Sequence, residues 1–209
     1  MNTMWRHRLA APRLLPLLGA AVGAVGGGIY WTGAQIWPAS VAVIMAMLAT
    51  ALLSGALLGG ALLSGALPRA GRADQTPAQG TLVIVFALFI KFNVLMALSA
   101  ANLPFPLPAN LALGLILIAG HASSSALAVS MKPASHLDLG IALAIGFAPA
   151  AFIGMPGLIG LACAIGGRIV FAAYIRRRRL AIGAAELDMT RLGTELCFYL
   201  GTLAARSYI

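Results

Sequence analysis

Uncharged apolar runs of close to 20 residues recur along the whole chain, parted by short connections that hold the prolines and most of the charges. A run of that length crosses the hydrocarbon of a bilayer as a helix. Lipid offers no partner to a bare N–H or C=O, which leaves helices or a closed barrel as the spanning structures. The runs are rich in Leu and Ala and lack the two-residue alternation of barrel strands, so the sequence predicts an all-α polytopic membrane bundle. With 61% of residues hydrophobic and 9% charged, no soluble domain fits anywhere along the chain.

Seven spans are expected in a single integral domain, near residues 14–37, 41–67, 80–101, 111–131, 139–153, 157–175 and 187–204. The number falls to six if the last segment lies along the membrane surface. Lys and Arg should gather in alternate, cytoplasmic connections. Arg6, Arg8 and Arg13 precede the first span, Arg69 and Arg72 follow the second, Lys132 the fourth, and the run Arg176 to Arg179 the sixth; the intervening connections have none. The N-terminus is therefore placed in the cytoplasm, in a membrane of the bacterial inner type, and a seventh span puts the C-terminus outside. A cleaved signal peptide is the competing reading of the basic N-terminus. The apolar run that follows is too long for one, and no clear small-x-small site closes it.

The formal charge of +9 thus belongs to helix ends. It reads as topology anchoring and contact with lipid headgroups, with no nucleic-acid partner implied. Cys163 and Cys197 lie inside apolar segments without CxxC spacing, so buried thiols are expected and neither a zinc site nor a disulfide framework.

Ionisable groups inside spans cost about 2.5–3.5 kcal/mol each on insertion scales and are functional candidates by default. Lys91 sits within VIVFALFIKFNVLMAL, with Asn93 beside it; it contacts a phosphate or pairs with an acid such as Glu195. His121, Ser123, Ser124 and Ser125 form a polar band that lines a pocket or packs helices together. Arg168 marks an anion pocket or pairs with Asp188 or Glu186. Asp188, Arg191 and Glu195 share a helix face at spacings of three and four, as a mutual ion pair would. Tyr30, Trp31 and Trp37 read as an interfacial aromatic belt.

LPLLGAAVGAVGGGIYWTGAQIWPASVAVIMAMLATALLSGAL, residues 16, 19, 54 and 55 among them, resembles the N-terminal half of cobalamin synthases, the adenosylcobinamide-GDP ribazoletransferases. QGTLVIVFALFIK resembles the third helix of that family, with Gly80 and Lys91 at its glycine and basic positions. AGHASSSALAVSM resembles the next helix and RLGTELCFYLG the last, with Glu195 at its acidic position. The resemblance implies a Mg²⁺-dependent membrane transferase that moves cobinamide phosphate from a GDP linkage onto α-ribazole and releases GMP.

Such chemistry needs carboxylates to hold the ion. The family supplies them in a His-x-Asp-Gly-x-x-Asp-x-x-Asp-Gly run, whose histidine aligns here with Leu58 and whose acidic positions align with Gly60, Ser64 and Leu67. The later Asp-Ser-Arg stretch retains only Asp74. The C-terminal Thr-Gly-Asp becomes IGAAELD, with Glu186 and Asp188 out of register, and Ser125 stands where the family has an arginine. In ALLSGALLGGALLSGAL, residues 51–67, Gly55 and Gly59, like Gly60 and Ser64, are four apart and suit close helix packing.

Three readings follow. The first is a degenerate, non-catalytic homologue that holds no metal and acts as a membrane scaffold or as a subunit beside other membrane proteins. The second is an active transferase with a corrinoid substrate and Mg²⁺, whose candidate residues are Asp74, Lys91, His121, Arg168, Glu186, Asp188 and Glu195. The third, a small transporter, rests on Lys91 and His121.

Overall fold

The computed structural model describes residues 12–58, 77–100, 108–131, 133–177 and 184–205. All the regular structure among them is helical: a short 3-10 turn at Pro12–Leu14, then α1 (Leu15–Gly33), α2 (Ala39–Leu58), α3 (Pro77–Ser99), α4 (Ala109–Val129), α5 (His136–Phe152), α6 (Met155–Arg177) and α7 (Ala184–Ala205). Four stretches are long and apolar enough to cross a bilayer: Leu15–Gly33, Leu82–Ser99, Leu111–Val129 and Met155–Arg177. The protein is a helical membrane bundle. Gly59, Gly60, Ser64, Leu67 and Asp74 lie outside the described residues.

Helix α4 is the axis of the bundle. Ala112, Leu113, Ile116, Leu117, Ala119 and Ala122 through to Val129 are all buried, and α1, α5 and α7 pack around them. Its small residues make that possible, because a helix enclosed on several sides needs neighbours whose backbones come close. On α1 the glycines supply the complementary face. A Cβ on Gly19 would meet the His121 carbonyl and Ser125, and one on Gly23 the backbone of Leu117 and Ile118. One on Gly27 would lie 2.9 Å from the Cα of Gly114.

Helices α6 and α7 form an antiparallel hairpin with glycines on both sides: Gly160 faces Thr202 and Phe198, Gly167 faces Cys197, Gly193 faces Phe171 and Gly201 faces Cys163. The thiols therefore serve as knobs opposite glycines. Cys163 is nonetheless exposed and Cys197 only half-buried, so the buried thiols expected from the sequence are not found. In α7 the buried hydroxyls of Thr190, Thr194 and Thr202 donate to carbonyls four residues back, at 2.7, 2.8 and 2.9 Å. They are satisfied within their own helix and can enter the core at no hydrogen-bonding cost.

The connections follow local chemistry. Ser135 caps α5, accepting from the Asp138 N–H at 3.1 Å and donating to its carboxylate at 2.8 Å. Asp138 also meets Arg13 at 3.4 Å, tying the start of α5 to the entry into α1. Between α5 and α6 the chain reverses at Gly154, whose φ of 76° is one that a residue with a Cβ rarely adopts. Trp31 and Trp37 are exposed as a belt requires, but Tyr30 is 2% exposed and belongs to the core.

Candidate functional site: a polar seam between α4 and α7

Successive turns of α7 carry polar residues inward, with Glu186, Thr190, Arg191, Thr194, Glu195 and Thr202 all buried, and α4 meets them with His121 and Ser125. At mid-helix the Lys91 ammonium, from α3, lies 2.6 Å from Oε1 of Glu195, with both side chains about 95% buried (6% and 5% exposed). The same oxygen accepts from the Tyr199 hydroxyl at 2.9 Å, and Nε2 of His121 lies 3.3 Å from it. Lys91 Nζ also sits 5.8 Å from the centre of the Tyr199 ring, within reach of a cation–π contact. The ring has room because residue 120 is glycine: a Cβ there would collide with the ring.

A single carboxylate oxygen thus gathers an ammonium, a phenol and an imidazole from three helices. In a low-dielectric interior neither ion is tolerable alone, and the pair is tolerable because the carboxylate is neutralised and hydrogen-bonded. The pairing of Lys91 with Glu195, one of two readings left open by the sequence, is the arrangement found. Asn93 faces outward and donates to the Phe89 carbonyl at 2.8 Å.

One turn nearer the end where α4 stops and α7 starts, Arg191 donates through Nη2 to Ser54 Oγ of α2 at 3.2 Å. Its Nε has no partner, and neither has the buried hydroxyl of Ser125. Both residues line a cleft of about 80 Å³ with Leu15, Ala128, Val129, Leu187 and Asp188. Ligand pockets for drug-sized molecules measure about 300–1,000 Å³. The cleft accepts a headgroup-sized moiety.

The other predicted residues have separate duties. Ser123 and Ser124 bond back to the carbonyls of Ala119 and His121, at 2.7 and 3.2 Å. Arg168 donates to Ser130, through Nε to Oγ at 3.0 Å and through Nη2 to the carbonyl at 3.1 Å. It places a cation on the C-terminal end of α4, where the helix dipole favours one. Glu186 is buried near the start of α7, Asp188 is on the cleft, and Asp74 lies outside the described residues. The sequence reading missed Tyr199, and it named Ser54 for the family resemblance without its contact to Arg191. Tyr199 was signalled by its position four residues after Glu195, on the same helix face.

The described residues do not fit an Mg²⁺ site. No three His, Cys, Asp or Glu side chains among them converge, and Glu195 faces an ammonium where an ion-binding carboxylate faces water and substrate.

Fold and seam together define a polytopic helical membrane protein with an internally neutralised polar centre. Among curated proteins the chain is 30% identical over 229 residues to an adenosylcobinamide-GDP ribazoletransferase of Leptothrix cholodnii, a match that covers 96% of this chain and 86% of that protein. This chain belongs to the adenosylcobinamide-GDP ribazoletransferase, or cobalamin synthase, family. No family model matches it, and no solved structure does. The matched stretch is longer than this chain of 209 residues, so the relative carries segments that are missing here.

Proposed function

We propose that this protein has kept the cobalamin synthase fold without its Mg²⁺-dependent transfer chemistry, and that it serves as a membrane scaffold or subunit of a larger complex. The observation that carries this reading is the state of Glu195. The family's acidic position in the last helix is turned inward onto Lys91, Tyr199 and His121, away from the cleft that opens one turn below. Gly60, Ser64 and Leu67 at the positions of the family's acidic run support it, as do the segments missing relative to the Leptothrix enzyme. The partners are other membrane subunits and lipid, in the cytoplasmic membrane of a bacterium, with the arginine-bearing helix ends inside.

The direct test supplies the protein, purified into lipid nanodiscs, with adenosylcobinamide-GDP, α-ribazole and Mg²⁺. The expected result is no GMP release above a protein-free control. Mg²⁺-dependent GMP release that disappears in Asp188→Asn would overturn the reading. It would favour an active transferase working at the cleft, where Asp188 is the one described acid on the lining.

A further inference from the structure

The geometry points to the cleft between α1, α4 and α7 as a binding site for the phosphodiester of one membrane phospholipid, held by Arg191 and Ser125. This goes beyond the scaffold reading and does not depend on it. Among the described residues, the buried side-chain atoms without a hydrogen-bond partner are both nitrogens of His121, Ser125 Oγ and Arg191 Nε. The His121 and Arg191 atoms lie on the α4–α7 seam and Ser125 Oγ lies beside Gly19 of α1; Ser125 and Arg191 both line the cleft. Arg191 is 8% exposed and Ser125 3%, so bulk water does not serve them. A buried guanidinium N–H without an acceptor, beside a buried hydroxyl without a partner, describes the donor set of an oxyanion site.

Depth and charge narrow the ligand. Leu15 is the first residue of α1, Val129 the last of α4, and Leu187 lies in the first turn of α7, so the cleft opens at one end of the bundle. That end also carries Arg13, Arg176 and Arg177, where phospholipid headgroups lie. Asp188 on the lining offsets the charge of Arg191. A singly charged phosphodiester suits such a site better than the dianion of free phosphate. The apolar rim of Leu15, Ala128, Val129 and Leu187 matches the glycerol and the first methylenes of a lipid.

Native mass spectrometry of the detergent-purified full chain, titrated with dioleoyl phosphatidylglycerol, tests this. One equivalent should bind, with affinity reduced about tenfold or more in Arg191→Gln and several-fold in Ser125→Ala, as loss of hydrogen bonds to a charged group entails. Dioleoylglycerol, which lacks the phosphodiester, should not bind, and inorganic phosphate should not displace the lipid. Equal binding by wild type and both variants, or by dioleoylglycerol, overturns the site. Displacement by millimolar inorganic phosphate overturns the lipid as its occupant in favour of a free oxyanion. If Arg191→Gln fails to fold by size exclusion and circular dichroism, Ser125→Ala decides, since it removes a hydroxyl alone.

Discussion

Among the described residues, Glu195 and Lys91 are each other's only opposite charge at the centre of the seam, and each depends on the other for most of its compensation for leaving water. Removing one charge from such a pair leaves its partner stranded, at about 3–5 kcal/mol, whereas replacing both with apolar residues of similar volume is close to neutral. Lys91→Met or Glu195→Leu alone should therefore lower the thermal unfolding temperature in detergent sharply, and the double variant should recover more than half of the loss. A merely additive double variant would show that the two do not act as a pair. The logic reaches Tyr199, whose hydroxyl donates to Glu195 at 2.9 Å. Tyr199→Phe removes the donor without emptying the notch at Gly120 and should cost only about 1 kcal/mol.

Helices meet here through backbone contact, and the glycines of α1 show how finely that is set. Gly27 faces Gly114 across the α1–α4 crossing, while the next residue, Gly28, has nothing within 4 Å of where its Cβ would be. Gly27→Val should destabilise by about 1–3 kcal/mol through overpacking. Gly28→Ala should be neutral or better by up to about 1 kcal/mol through helix propensity. Fluorescence-detected size exclusion after a heat step separates the two. Much of this level was legible beforehand: run length, Leu and Ala content and turn chemistry mark helices, because bilayer thickness and backbone satisfaction act on local sequence. What stayed hidden depends on which helix faces which. Tyr30 looked like a belt residue beside Trp31 because both are aromatic near a helix end, yet neighbours on a helix point about 100° apart and only Trp31 is exposed. The seam was half legible, since a charge in an apolar run advertises itself. Its partner Tyr199 and the glycine notch that admits the ring are products of a contact between helices far apart in sequence.

For the molecule as a whole, the place of α7 decides the topology. A helix lying on the membrane surface keeps its polar face toward water, but α7 buries Thr194, Glu195, Phe198, Tyr199 and Thr202 against α3, α4 and α6. We propose that it crosses as a seventh span, which would put Ala205 on the side opposite Arg13. Alkaline phosphatase fused after Ala205 should be active in a bacterial host, and a green fluorescent protein at the same point dark. The reverse pair of signals would place both ends in the cytoplasm. A metal-free scaffold carries a second expectation at this scale: 10 mM Mg²⁺ should leave the unfolding temperature where calcium or sodium chloride of equal ionic strength leaves it. A specific rise would reveal linkage to a bound ion.

The pairing of Lys91 with Glu195 also sets an order of events during synthesis. The ammonium on α3 emerges and inserts well before the carboxylate on α7 exists, so the growing chain holds an uncompensated charge in the bilayer until α7 arrives. Synthesis of α7 and relief of that charge are then one event. A chain that stops short of residue 184 keeps Lys91 without the one carboxylate it pairs with in the folded bundle.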